Sequence, residues 1–247
     1  MRGVLLAGGS AKRLWPLTKV TNKHLLKIHK KPMIYYPLET LLKAGIKNIL
    51  IITNAKHVYE FSQLLGSGKR WGAQFSYQIQ QETTPGTGAA IALAKNFVGD
   101  CEFIVALGDN IINEDITPFV EKFQNQKKFK AQVLLANVDD PECYGVATVV
   151  DNKVIQLIEK PLNPNSNLVN TGVWMFRSEI FAYLKKLQLS PRGEYEVTDV
   201  LGCYAENGEL TYSILKSEWI DAGTFHSFFR ATLLMKQKEE AERTIGL

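Results

Sequence analysis

Apolar positions follow one rhythm in the first half of the chain and another in the second. Short apolar runs at 4–7, 49–53 and 103–107 have the length and content of strands buried on both faces, and 75–79 reads as a further strand. Between them lie stretches of helical spacing. One opens at Pro32, places Met33, Tyr36, Leu41 and Leu42 on related faces and stops at Gly45; others cover 59–65 (ending at Gly66-Ser67-Gly68), 88–97 and 117–126. Strands alternating with helices in this way predict a mostly parallel sheet covered on both sides, with ligands bound beyond the carboxyl ends of its strands. The turns Gly8-Gly9 and Gly108-Asp109-Asn110 should then share one sheet edge.

From about residue 131 the pieces AQVLLANV, GVATVV and KVIQLIEK follow one another across short turns such as Asp151-Asn152, which predicts antiparallel pairing. Residues 173–176 and 210–215 read as further strands, and 180–187, 197–206 and 231–243 as helices. The last carries Lys236, Lys238, Glu239, Glu240 and Glu242, a solvated face. No repeat, low-complexity segment or linker interrupts the chain. One domain is expected, with a first half to about 130, a lobe over about 131–230 and a C-terminal helix over about 231–247.

Composition narrows the function. With 247 residues, 45% hydrophobic and 22% charged, the chain is an ordinary globular sequence, and a net charge of +4 suits an anionic ligand but is too small and too dispersed for a nucleic-acid footprint. Cys101, Cys143 and Cys203 lie far apart without a CxxC or a histidine at ligand spacing, so neither a disulfide framework nor a zinc site is expected. No signal-type segment and no run approaching about 18 apolar residues occurs, so the expectation is a cytoplasmic protein without membrane partners.

The candidate chemistry starts in the first 32 residues, where the apolar run ends at Gly8-Gly9 and Lys12, Arg13, Lys19 and Lys23 follow. A glycine turn after a strand, with cations beside it, is a polyphosphate site. Two acids stand at strand ends, Asp109 in LGDN and Asp221 in WIDAGT. Taken singly, either would as readily cap its own turn. Brought together near ~4 Å they would repel by roughly 1 kcal/mol in water and about 4 at an effective dielectric of 20, which a cation such as Mg²⁺ relieves.

In order and spacing, LAGGSAKRLWPLT, NKHLL, LGDN, YGVA, EKP, NTGVW, PRGEYEVTD and WIDAGT closely resemble the sugar-1-phosphate nucleotidylyltransferases, nearest to the short glucose-1-phosphate thymidylyltransferase branch, from residue 1 to about 235. The resemblance implies an α/β, Rossmann-like three-layer sandwich with a mostly parallel central sheet and a smaller, partly antiparallel sugar-binding lobe. It implies transfer of a nucleoside monophosphate from a nucleoside triphosphate (dTTP) to a hexose 1-phosphate (glucose 1-phosphate), with Mg²⁺ as cofactor and pyrophosphate released. It implies a homo-oligomer, dimer or tetramer. Matched motif by motif, Arg13 falls on the β- and γ-phosphates, and Lys23 between the α-phosphate and the sugar phosphate. Asp109 and Asp221 fall on the metal, and Lys160 and Arg192 on the sugar phosphate. Gly145, Glu159, Asn170 and Thr171 fall on the hexose hydroxyls. Gln80 and Gly86 fall at the base edge, and Leu6, Ala7, Gly8 and Gly9 under the nucleoside.

Charge arithmetic agrees with these roles. A triphosphate and a sugar phosphate bring roughly −4 and −2, against four cationic side chains, one divalent ion and two carboxylates. Alignment and charge stabilisation then suffice without a covalent nucleophile, and His24, beside Lys23, reads as a shaping residue rather than a base.

The chain departs from the pattern in three places. Ala11-Lys12 stand where the family has Gly-Thr or Gly-Ser, Lys27 replaces a proline, and 80–89 is nearer the Pro-Gly-Thr-Gly of uridylyl relatives. UTP or another base, another sugar, and a regulatory sugar-nucleotide-binding paralogue are therefore the alternatives. A dinucleotide oxidoreductase is disfavoured, because GGSAKR breaks GxGxxG and Thr53-Asn54 occupy the place of the ribose-binding acid.

Overall fold

The computed structural model describes residues 1–9 and 12–245. Its first half runs β1 (Arg2–Leu6), β2 (Lys27–Ile28), β3 (Lys31–Pro32), α1 (Tyr35–Lys43), β4 (Asn48–Asn54), α2 (Val58–Leu65), β5 (Gln74–Gln80), α3 (Thr87–Ala92), α4 (Lys95–Val98), β6 (Phe103–Leu107), β7 (Asn110–Ile112) and α5 (Thr117–Asn125). Its second half runs β8 (Ala131–Asn137), β9 (Gly145–Val150), β10 (Lys153–Glu159), β11 (Leu168–Phe176), α6 (Ile180–Leu184), α7 (Val197–Glu206), β12 (Leu210–Ile214), β13 (Trp219–Asp221) and α8 (Phe225–Ile245).

The unbroken apolar strands are explained by burial on both faces. Val4 and Leu6 point into one core with Leu50, Ile52, Val105 and the apolar sides of α3, α6 and α7; Leu5 points into the opposite core with Ile49, Ile51 and residues of α1, α2 and α5. Helices therefore cover both faces of the sheet, which is the three-layer arrangement expected. Strands β5, β4, β1 and β6 are parallel neighbours, and β12 runs parallel to β8. The antiparallel members of this sheet are β11, which runs against β6, β8 and β9, and β10, which runs against β9.

The lobe branches from the sheet along β11. One edge of this strand pairs with β8, while the other pairs with β6 only from Val173 onward and with β9 at Val169. Between these stretches the register slips, and Gly172 sits at φ +75 in the space beside Leu107 and Asn110. A side chain there would be strained and would collide with both. The end of β6 thus parts from β11 where β9 and β10 take over, and the turn after β6 faces the opening of that fork.

Several boundaries differ from the sequence reading. The helix does not open at Pro32, which pairs with Lys27 in the small hairpin; α1 starts at Tyr35 and carries Pro37 in its first turn, where a missing N–H leaves no bond unmade. The single helix expected over 88–97 is divided into α3 and α4. Helix α8 begins at Phe225 rather than 231, because Thr224 and Ser227 cap it reciprocally, Ser227 N donating to Thr224 Oγ1 at 3.2 Å and Thr224 N to Ser227 Oγ at 3.1 Å. Among the described residues no helix is long and apolar enough to cross a membrane.

Candidate active site

The glycine turn after β1 is braced before any ligand is considered. Ala7 N donates to Ile52 O at 2.7 Å, while Ala7 O accepts from Asn22 Nδ2 at 3.0 Å and Thr53 Oγ1 at 3.1 Å. Asn22 also accepts from His24 N at 2.9 Å, so one buried amide ties the Lys23 segment to the turn. Next door, Gly108 N donates to Leu6 O at 2.8 Å, which sets the turn after β6 beside the turn after β1. Gly108 has no room for a side chain, since a Cβ would lie 2.8 Å from the His24 ring.

This bracing brings Lys23 onto Asp109 in a buried ion pair. The partner acid arrives from the other end of the chain. β13 pairs antiparallel with β7 so that Asp221 opposes Asn110, and Ala222 N donates to Asp109 O at 2.9 Å. Arg13 Nη2 lies 3.8 Å from Asp221 Oδ2, and it approaches over Gly223, where a Cβ would come within 2.8 Å of both groups. Arg13, Lys23, Asp109 and Asp221 are therefore one cluster. Lys12 opens the short turn Lys12–Leu14, and Ala11 lies outside the described residues.

The electrostatics separate the two acids. Burial opposes the charge of Asp109, but Lys23 and its other partners outweigh it and hold the carboxyl down at about 2. Burial and the neighbouring Asp109 push Asp221 the other way, to about 6, only partly offset by Lys23 and Arg13. Asp221 Oδ1 is buried and has no hydrogen-bond partner. A buried carboxylate oxygen without a donor, beside a second carboxylate, fits a hard divalent cation that takes one or two carboxylates and completes its shell with phosphate oxygens and water. His24 is buried, its pKa lowered to about 3 by desolvation and by Lys23, so it is a neutral packing group.

On the lobe, Glu159 ends β10 opposite Gly145 and is held from two sides, Oε2 accepting from Thr198 Oγ1 at 2.8 Å and Oε1 lying 3.1 Å from Arg192 Nη1. Gly145 leaves space for Glu159, whose Oε2 would be 3.1 Å from an added Cβ. Lys160 is exposed at φ +46 with its N–H on Tyr144 O at 2.9 Å. Asn170 Oδ1 accepts from Gly172 N at 3.0 Å and Trp174 Nε1 at 2.8 Å. Thr171 is fully buried and its hydroxyl donates to Leu134 O at 2.9 Å, so this side chain faces the sheet rather than the fork.

Gln80 ends β5 beside Gly8, its Nε2 donating to Thr84 O at 2.9 Å and Gly86 O at 3.0 Å. Gly86 is pinned from outside by Tyr195, which the sequence reading passed over: Tyr195 N donates to Pro85 O at 3.0 Å and Gly88 N to Tyr195 O at 2.8 Å. The same reading passed over Asn22, Glu196, Thr198 and Gly223. The signal was present, since Asn22 opens NKHLL, Tyr195, Glu196 and Thr198 lie inside PRGEYEVTD and Gly223 inside WIDAGT, but no role was read for any of them.

The family model described as nucleotidyl transferase matches residues 2–238. The chain belongs to the nucleotidyl transferase family. Among its relatives, a glucose-1-phosphate thymidylyltransferase of Xanthomonas campestris is 38% identical over 244 residues, 96% of this chain and 82% of the relative. A Haloferax volcanii nucleotidyltransferase of low-salt glycan biosynthesis is 36% identical across 98% of this chain and 68% of its own length. A solved chain from Bacillus anthracis, provisionally assigned as a glucose-1-phosphate thymidylyltransferase and bound to sucrose, is 45% identical with a TM-score of 0.90, covering 95% of this chain and 94% of that one. A UDP-glucose pyrophosphorylase shares the fold, at 22% identity and a TM-score of 0.83.

Proposed function

We propose that this nucleotidyltransferase transfers the thymidylyl group of dTTP to glucose 1-phosphate. An oxygen of the sugar phosphate attacks the α-phosphorus in line, the bond to the β-phosphate breaks, and pyrophosphate and dTDP-glucose are released. The observation that carries the reading is the convergence of Arg13, Lys23, Asp109 and Asp221 at the ends of β1, β6 and β13, with an unpartnered Asp221 oxygen among them. The relatives' activities give the donor and acceptor.

In this reading Arg13 holds the β- and γ-phosphates and disperses charge as pyrophosphate departs. Lys23, released from Asp109 in part, bridges the α-phosphate and the sugar phosphate. Asp109 and Asp221 hold Mg²⁺, which when bound supplies charge neutralisation at the triphosphate. Lys160 and Arg192 grip the sugar phosphate, and Glu159 accepts hydrogen bonds from the hexose hydroxyls, with Gly145 leaving it room. Asn170 contributes through its amide nitrogen and Thr171 through its backbone, since its hydroxyl is taken by Leu134 O. Leu6, Ala7, Gly8 and Gly9 form the floor under the nucleoside, with Gln80 and Gly86 at the base edge. No step needs a covalent nucleophile, because positioning and charge stabilisation supply the rate. The chain works as one domain, in the cytoplasm, and as a homo-oligomer; exposed Phe225, Phe229 and Leu233, spaced along one side of α8, suit a contact between copies.

Pyrophosphate release from dTTP and glucose 1-phosphate with Mg²⁺ tests the reading. Turnover is expected with this pair. If no combination of the common triphosphates and hexose 1-phosphates turns over, the enzyme reading fails and a sugar-nucleotide-binding regulator takes its place.

A further inference from the structure

Glu159 and Arg192 are bonded to each other before any substrate is present, at 3.1 Å. A hexose 1-phosphate that used both, as the proposed function requires, would have to part them. Arg192 has a second carboxylate within reach, Glu196 Oε1 at 3.5 Å, and the two acids differ in what else they can do. Glu196 is buried and fixed at the start of α7, and its Oε1 accepts from Ser190 Oγ at 3.2 Å. Ser190 in turn closes the loop that carries Arg192, with Gly193 N on Ser190 O at 2.8 Å and Arg192 N on Ser190 Oγ at 3.2 Å. Glu159 lies at the mouth of the fork, where Thr198 holds one of its oxygens and Arg192 covers the other.

We propose that Arg192 is an exchangeable guard on Glu159: the phosphate of the acceptor draws the guanidinium away and uncovers Glu159 for the sugar hydroxyls, while Glu196 keeps Arg192 tethered at the site. A guanidinium with five donors can leave one carboxylate for a phosphate and still keep a bond to another. Thr198 keeps Glu159 aimed throughout, so only one of its oxygens changes partner. A sugar without phosphate meets a covered Glu159, and the acceptor site selects phosphorylated hexoses even before chemistry. Glu196 is thus a positioning residue that never needs to touch the substrate. The inference rests on the acceptor roles given to Glu159 and Arg192 in the proposed function.

Titration calorimetry of the whole protein with inorganic phosphate tests it, Arg192→Ala defining which part of the signal belongs to this site. Glu159→Gln removes the competitor and should tighten phosphate by about threefold, whereas Glu196→Gln removes the tether and should weaken it by about threefold, the scale of a partly exposed ion pair. Loss of negative charge acting through space would tighten both, so changes of the same sign overturn the guard, as does a wild-type signal that Arg192→Ala leaves intact. Should Glu196→Gln fail to fold, Ser190→Ala, which frees Glu196 from its hydroxyl partner, should weaken phosphate in the same direction, and tightening there overturns the tether. The titrations need neither donor nor turnover. Opposite signs without turnover sink the proposed function and keep the guard; turnover with equal signs does the reverse.

Discussion

Lys23 and Asp109 meet with side chains 15% and 8% exposed, whereas Arg192 and Glu159 meet at 39% and 23%. The first pair is locked on both sides: Asp109 by backbone bonds, Gly108 N to Leu6 O and Ala222 N to Asp109 O, and Lys23 by Asn22, which bonds Ala7 O and His24 N. The second joins the end of a hairpin strand to a loop. A buried pair on braced turns is part of the fold, because removing one partner strands a buried charge at roughly 3–5 kcal/mol. A half-exposed pair contributes at most about 1 kcal/mol and can trade partners at little cost. In the proposed function the donor side is therefore a preformed charge cradle with one unsatisfied oxygen, and the acceptor side is a half-exposed pair able to exchange contacts.

The largest expected effect breaks the cradle. Asp221→Asn should lower turnover by about a thousandfold, the scale of losing a principal charge-stabilising group, and a near-normal rate would remove Asp221 from the metal site. Stability should move the other way. Burial and Asp109 raise Asp221 from 3.8 to about 6, so the native state binds this proton more tightly than the unfolded chain does. Its contribution is then best below pH 3.8, declines as pH rises to about 6, and stays lost above that. In metal-free buffer the Asn variant should melt higher than the wild type at pH 7 and at the same temperature near pH 3.8. Mg²⁺ should raise the wild-type melting temperature and leave the variant unmoved.

The same contrast decides what could be read from the sequence. β1, β4 and β6 were legible because both faces are buried, which leaves unbroken apolar runs such as Ile49, Leu50, Ile51 and Ile52, whereas the edge strand β5 is only partly buried and mixed in composition. Asp109 and Asp221 were legible as charges at the ends of apolar stretches, Arg13 and Lys23 as cations following the Gly8-Gly9 turn, and all four through the motif resemblance. The pairing of β7 with β13 was not, since each is a short strand and their partners are more than a hundred positions apart in sequence. The bulge at Gly172 and the shared role of Tyr195 were hidden for another reason: both act through backbone atoms, which no side-chain pattern reports. Thr171 illustrates the converse, a motif residue whose hydroxyl is used by the sheet.

A smaller effect asks how separate the two sides are. Gly86 sits at φ +104, and an added Cβ would lie 2.5 Å from both Tyr195 N and Tyr195 O. Tyr195 follows the Arg192 turn, and Val197 N reaches Thr87 Oγ1 at 3.3 Å, so the base-side loop and the acceptor loop are one backbone assembly. Gly86→Ala should lower stability by about 2 kcal/mol, from strain and the displaced Tyr195. It should also raise the KM for glucose 1-phosphate at least as much as that for dTTP. A change confined to dTTP would show that the two loops work independently.

The smallest effect concerns which part of the base is read. Gln80 has its amide nitrogen committed to Thr84 O and Gly86 O, and its Oε1 makes no hydrogen bond among the described residues. An acceptor that cannot flip without breaking both loop bonds can take only a donor from the base. Thymine and uracil both offer N3–H, whereas cytosine carries an unprotonated N3 there. Gln80→Ala should therefore leave the ratio of kcat/KM for dTTP over UTP within about twofold, since the lost contact is common to both. The preference for dTTP over dCTP should fall by about tenfold, the equivalent of one hydrogen bond of about 1.4 kcal/mol. A variant that instead separated dTTP from UTP would mean that the methyl group, rather than N3–H, is what the residues around Gln80 sense.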